Sequence, residues 1–241
     1  MDGTEIDAPG HGPVCVFGAS SGFGLALAEE LTGHGHPVMG AARSPKPPAA
    51  GFDYRQVDVT DERSVEVFFE QAEKEFGPPS GVVYSVSNAA AVGNSWELDP
   101  RELSSVFEAT VFGFARVVRH AVPRMADAGG AILLVGSRAA RVPVPTLAAY
   151  AAAKASVEHF ARCLAQEVEP RGIRVNILGI SADTPLAREH LDRRAVVLGR
   201  TEPYPALPPV QDNVAAACFL LSQESRFVTG QTIEARQPLW V

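Results

Sequence analysis

The sequence predicts a single doubly wound α/β domain, a parallel sheet of about seven strands with helices on both faces. Three observations lead there. Short runs that are apolar throughout recur along the chain, and stretches with helical spacing separate most of them. A glycine-bearing turn joins the first run to the first helical stretch. A strand without a polar face has no side for water, so its sheet must be covered twice.

The elements follow in order. Residues 1–12 are polar with Gly and Pro and read as a flexible tail ahead of one domain over 13–241. Val14–Phe17 is the first apolar run, and Leu25, Ala28 and Leu31 share one face of the helix after it. Val38–Ala42 is the second run. Val65, Phe68, Phe69 and Ala72 then recur at helical spacing until Gly77-Pro78-Pro79 breaks the helix. Val82–Tyr84, Ala131–Val135 and Ile173–Ile180 complete the readable strands. Over Leu103–Met125, apolar side chains such as Val106, Phe107, Val111, Phe112, Phe114, Val117 and Val118 fall nearly all round the helix. A helix with no wet face predicts burial on two sides, and so self-association, with a covering loop as the alternative. Pro203–Pro209 reads as a loop within the domain.

Composition narrows the function classes. The chain has 241 residues with 21 basic against 28 acidic side chains, a net charge of −7 that argues against nucleic acid as a partner. The acidic start, Met1–Asp7, lacks the basic and apolar regions of a secretion signal, and no apolar run approaches a membrane span. Cys15, Cys163 and Cys218 are odd in number and far apart, and read as small buried hydrophobes in a reducing, cytoplasmic setting. His34-Gly35-His36 reads as a loop with no third ligand nearby, so no metal is expected.

The first turn carries chemistry. Gly18, Gly22 and Gly24 frame Ser20, Ser21 and Phe23 between a strand and a helix. Gly18 permits the tight turn, while Gly22 and Gly24 let the backbone approach a pyrophosphate at the helix N-terminus. That context predicts a dinucleotide site, with a plain helix-packing turn as the alternative. Where an acidic residue would accept the NAD ribose, the second strand ends in Ala42-Arg43-Ser44. Arg43 can bond a 2′-phosphate, so NADP(H) is expected ahead of NAD(H).

Tyr150 and Lys154 are four apart, which puts phenol and ammonium on one helix face. The chain has only three lysines, Lys46, Lys74 and Lys154, so a lysine at this spacing is hard to dismiss. Ser137 follows the strand Ala131–Val135, at the carboxyl edge where such sheets place ligands. A fixed cation beside a tyrosine is expected to lower its pKa, and a serine hydroxyl can hold a carbonyl oxygen as charge develops.

With these residues in place, over roughly 13–235, the chain resembles the short-chain dehydrogenase/reductase family. The likeness rests on Gly18, Gly22 and Gly24, on Asp58-Val59, Ser137 and Tyr150-x-x-x-Lys154, and on Arg174-Val175-Asn176. It implies a Rossmann-like domain in which Tyr150 exchanges a proton with a carbonyl or alcohol substrate during hydride transfer. It further implies that Lys154 holds the nicotinamide ribose, that Ser137 positions the substrate oxygen, and that Asp58 and Val59 contact the adenine. Segment 185–209 is expected to cap the substrate, and its Leu186, Leu191, Val196, Val197, Leu198 and Tyr204 point either to a partly apolar, medium-sized substrate or only to packing of the lid. The all-round apolar helix resembles those through which family members form homodimers and homotetramers.

Several family positions differ. Phe17 replaces the usual Thr, and where Asn-Asn-Ala-Gly is usual stands Ser85-Val86-Ser87-Asn88 or, shifted, Val86-Ser87-Asn88-Ala89, with the register of the following helix favouring the first. Thr110 falls where an asparagine normally serves the proton relay. Ile180-Ser181 replaces Pro-Gly with Thr184 nearby, and Ala235-Arg236-Gln237 replaces Asp-Gly-Gly. Trp240 at the extreme C-terminus reads as a subunit contact. Two accounts stay open: an active NADPH-dependent reductase with a rerouted relay, or a catalytically weak nucleotide-binding relative acting through a partner.

Overall fold

The computed structural model describes residues 12–47 and 50–235. The expected tail up to residue 11, and Arg236, Gln237 and Trp240, lie outside the described residues.

Seven parallel strands form one sheet in the order β3-β2-β1-β4-β5-β6-β7. They are β1 (Val14–Phe17), β2 (Val38–Ala42), β3 (Asp53–Gln56), β4 (Gly81–Tyr84), β5 (Gly130–Gly136), β6 (Ile173–Ile180) and β7 (Thr232–Ala235). The helices are α1 (Gly22–Gly33), α2 (Glu62–Phe76), α3 (Pro100–Phe107), α4 (Gly113–Met125), α5 (Ala148–Val168), α6 (Pro185–Val197) and α7 (Val214–Leu221). The strand order reverses between β1 and β4, and the crevice between their diverging connections is where such sheets accept ligands.

Alternation along the strands divides the core. Cys15 and Phe17 face α2, α4 and α5, whereas Val14 and Val16 face α1 and α7. The first side is aromatic. Phe17 is fully buried, with ring centroids 4.9 Å from Phe68 and 5.7 Å from Phe69, and Tyr84 packs against Phe114 at 5.3 Å. The substitution at the start of the glycine loop is therefore a packing change, and removing such a ring costs about 3–5 kcal/mol.

The long apolar helix expected over Leu103–Met125 is in fact three pieces. α3 passes through a five-residue π turn, Glu108–Phe112, into α4. The Tyr84 hydroxyl donates to the Ala109 carbonyl at 2.5 Å, which satisfies an acceptor within the turn. α4 does have a polar side, which corrects the expectation that it is apolar nearly all round, while Phe112 in the π turn before it is half-exposed. His120 meets Glu62 at 2.7 Å and Arg124 meets Glu73 at 3.1 Å, both on α2, and Arg119 is exposed. The intervening charges Arg116, Arg119, His120 and Arg124 set that face. Cys15 and Cys218 are buried as expected, but Cys163 is exposed on α5, because it falls on that helix's solvent side. No helix among the described residues is long and apolar enough to cross a membrane.

Candidate active site

The carboxyl ends of the strands open into a cleft of about 780 Å³. Gly18 begins the turn after β1 at φ +91°, and a Cβ there would stand 2.6 Å from the Ser85 carbonyl oxygen. Gly22, at φ +56°, lies under Thr184 with only 3.2 Å to spare for a Cβ. Only glycine combines that backbone with that proximity. Ser20, Ser21 and Phe23 line the cleft with them. Gly24 does not: it packs against the Gly18 backbone, drawing α1 onto the strand.

One wall comes from the ends of β2 and β3. Arg43 and Ser44 line it, their backbone carbonyls fixed by the Gln56 amide at 2.7 Å and the Tyr54 hydroxyl at 2.6 Å. Asp58 and Val59 lie opposite. Burial pushes the Asp58 carboxyl up, but hydrogen bonds from Thr60 and the charges of Arg43 and Arg116 outweigh it and hold the pKa below the usual range.

The loop after β4 is placed otherwise than expected. Ser85, Val86 and Ser87 line the cleft, while Asn88 turns away and donates to the Ser105 carbonyl and hydroxyl, both at 3.1 Å. Thr110 is fully buried behind that wall, 3.1 Å from the Ser87 hydroxyl, and meets the cleft only through Ser87. Both departures follow from α3 and the π turn, which take up the polar groups that would otherwise face the cleft.

Ser137, Tyr150 and Lys154 converge at the end of β5. Ser137 caps a short 3₁₀ turn, its hydroxyl accepting the Ala139 amide at 3.2 Å. Lys154 is buried, and its Nζ donates to the Val135 carbonyl at 2.9 Å while lying 5.9 Å from the Tyr150 ring centroid. Burial lowers its pKa to about 8, against the pull of the Glu158 carboxylate. The expected lowering of the Tyr150 phenol does not occur. Burial pushes it up, a hydrogen bond with Ser137 draws it down, and Glu158 adds to the rise.

Ile180, Ser181 and Thr184 line the far wall, and Thr184 caps α6 by accepting the Ala187 amide at 3.1 Å. Leu186 and Leu191 of α6 face the cleft as expected. Val196 is 82 % exposed and Val197 and Leu198 are exposed as well, because the helix ends there and turns them to solvent. Tyr204 stacks between the Arg194 and Arg200 guanidinium groups instead of lining the cleft.

Four residues that sequence reasoning missed stand here. His190 on α6 is buried against the Tyr150 ring, centroids 4.7 Å apart and nearly perpendicular. Glu158 is buried under Ser137, and Arg141 links it to Glu234 on β7. Only Glu158 carried a signal. Its place four residues after Lys154 sets a carboxylate among Ala149, Ala153, Val157 and Ala161 on the buried face of α5.

Known proteins resemble the chain in sequence and in fold. A family model described as enoyl-(acyl carrier protein) reductase matches residues 18–235. The chain is 32% identical to the 3-oxoacyl-(acyl-carrier-protein) reductase FabG of Escherichia coli (strain K12) over 241 residues, 94% of this chain and 96% of the relative. It is 34% identical to the cis-4-hydroxycyclohexanecarboxylate dehydrogenase of Sinomonas cyclohexanicum, over 89% of this chain and 91% of the relative. Among solved structures, a short-chain type dehydrogenase/reductase from Mycobacterium ulcerans superposes with a TM-score of 0.81 at 26% identity, over 92% and 87% of the two chains.

Proposed function

The chain belongs to the short-chain dehydrogenase/reductase family of oxidoreductases, and from that premise we propose that it reduces a ketone or aldehyde with NADPH, or runs the reverse alcohol oxidation. The observation that carries this reading is the convergence of Ser137, Tyr150 and Lys154 in the cleft that the glycine turn opens.

The residues fit a nicotinamide dinucleotide. The turn leaves no room for a Cβ at Gly18 and holds Gly22 at a left-handed φ with little space, as suits a backbone that cradles a pyrophosphate. Arg43 at the end of β2 is exposed to the cleft and would bond a ribose 2′-phosphate, which favours NADPH over NADH. Ser20, Ser21, Phe23 and Ser44 would flank the phosphates and ribose, and Asp58 and Val59 the adenine. Ile180, Ser181 and Thr184 stand at the nicotinamide end. When bound, the nicotinamide supplies or accepts the hydride.

The chain's own groups manage the proton and the oxygen. Burial keeps the proton on Tyr150, so the phenol can donate it to a carbonyl oxygen that gains negative charge. Ser137 donates to the same oxygen and fixes its position. Lys154, anchored on the Val135 carbonyl, would meet the ribose and hold a positive charge beside the phenol. Segment 185–209 would close over a partly apolar substrate through Leu186 and Leu191. A cytoplasmic homodimer or homotetramer is the assembly we propose.

The test is a panel of ketones and aldehydes with NADPH and NADH, followed by loss of reduced-nicotinamide absorbance. Turnover with NADPH preferred supports the reading. Tight NADPH binding with no turnover across the panel would favour a nucleotide-binding regulator, for which the buried Thr110 at the relay position is the structural motive.

A further inference from the structure

The reaction as derived does not use the charged groups beneath Ser137. Glu158 is 1% exposed, on the same face of α5 as Tyr150 and Lys154 at successive four-residue steps. Its Oε1 accepts the Ser137 backbone amide at 3.0 Å, and its other oxygen pairs with Arg141. The second arm of Arg141 pairs with Glu234, which lines the cleft from β7. Two glycines make the space. A Cβ on Gly136 would lie 2.7 Å from Glu158 Oε1, and one on Gly179 would lie 2.5 Å from Glu234 Oε1.

A buried carboxylate is costly, and an ion pair in a core is seldom more stabilising than apolar residues of the same volume. Fold stability alone therefore gives no reason for a carboxylate on this face. We propose that Glu158, clamped by Arg141 and Glu234, is a positioning residue that fixes Ser137 against α5 and sets the charge balance at Tyr150 and Lys154. For Ser137 this rests on the reductase reading above; for the charge balance it does not.

The sign follows from the groups around the phenol. Lys154 and Glu158 share its face of α5, His190 packs on its ring from α6 with Arg194 lining the same cleft, and Arg141, after β5, pairs with Glu158 and with Glu234 of β7. The carboxylate of Glu158 opposes ionisation of Tyr150 and favours the charged form of Lys154. Neutralising it should release the phenol proton at lower pH. Carbonyl reduction needs the protonated phenol, so its alkaline fall in rate should move to lower pH as well. The two titrations are coupled and report on the pair.

Two variants separate charge from contact. Glu158→Gln keeps an acceptor for the Ser137 amide but removes the charge. Its tyrosinate absorbance, read against Tyr150→Phe in each background, should appear about one pH unit lower than in the wild type, a shift of one charge at close range. The kcat–pH profile should follow. Glu158→Leu also removes the acceptor, and kcat should fall at least about tenfold at every pH, with the NADPH dissociation constant changed less than about threefold. An unmoved tyrosinate titration in Glu158→Gln would overturn the charge role. Wild-type kcat in a folded Glu158→Leu would overturn the positioning role; if that variant does not fold, the kcat of Glu158→Gln relative to Arg141→Met, which frees the carboxylate, decides it, equal and undiminished values overturning the proposal. A wild type that reduces no carbonyl would overturn the reductase reading, and the titration, which needs no substrate, would still decide the charge role.

Discussion

At the end of the cleft where we propose the nucleotide binds, the wall is made of strand ends and a glycine turn, tied by backbone bonds such as Gly18 N–H to Ala41 O at 2.7 Å and Ser85 N–H to Phe17 O at 2.9 Å. At the substrate end one wall is α6, held across the cleft by side chains. Arg193 donates to the carbonyls of Ala89 and Ala90 at 2.7 and 2.6 Å, Arg194 donates to the Thr146 hydroxyl at 3.2 Å, and His190 rests on the Tyr150 ring. Backbone ties are shared by any sequence that makes the sheet. Side-chain ties can be cut one at a time, so the substrate wall is the adjustable half of the site.

The sharpest break in this contrast is at the junction of the two halves. Tyr150→Phe should lower carbonyl turnover by a hundred- to ten-thousandfold while NADPH still binds, as single-turnover assays and a binding titration would show. Retained turnover would remove Tyr150 as the acid. At the rigid end, Arg43→Asp should weaken NADPH roughly ten- to hundredfold and leave NADH affinity equal or better, measured by fluorescence titration. An unchanged preference would place the 2′-phosphate elsewhere.

The adjustable end has its own signature in pH. Burial, and then the charges of Arg193, Arg194 and Lys154, lower the His190 pKa to about 4 from an ordinary 6.5. The unfolded chain therefore takes up a proton between those values that the fold refuses. The stability contributed by neutral His190 is present above pH 6.5 and is lost as the pH falls toward 4. By pH 5 the wild type should have lost about 2 kcal/mol that His190→Leu keeps, read from urea midpoints at the two pH values. Parallel decline of the two proteins would show that His190 does not bear the acid sensitivity. The smallest effect should come from Arg193→Ala, which frees α6 from the loop after β4. We expect KM for a carbonyl substrate to change about three- to fivefold with kcat nearly constant; a large loss of kcat would mean that α6 also orders the reacting groups.

The same division governs what could be read without coordinates. β1, β2, β4 and β5 are apolar throughout because they are interior, β6 is apolar but for Arg174 and Asn176, and the spacing of Val65, Phe68, Phe69 and Ala72 matches the buried face of α2. β3 and β7 sit at the sheet edges, where Asp53, Arg55 and Glu234 mix with buried positions, so hydropathy does not mark them. Ser137 and Arg43 were legible because strand ends place them, and Tyr150 and Lys154 because a four-residue step puts them on one face of α5. Asn88 and Thr110 were not, since a five-residue π turn decides what they face and no residue pattern announces it. The His190 contact joins residues forty apart through a side-chain packing that local periodicity does not encode. Arg141 and Glu234 lie 93 positions apart and are brought together only by the sheet order.

The three lysines divide the molecule in another way. Lys46 and Lys74 are exposed, whereas Lys154 is buried at the floor of the cleft. An amine-acylating reagent should therefore mark the first two at once and reach the third only when α6 lifts or the fold opens. Burial is also what lowers the pKa of Lys154 to about 8, so uncovering the amine returns it toward the ordinary lysine range, and it then reacts as Lys46 and Lys74 do. The mass of one further acyl group, followed in time with and without nucleotide, would then serve as a clock for how often the cleft breathes.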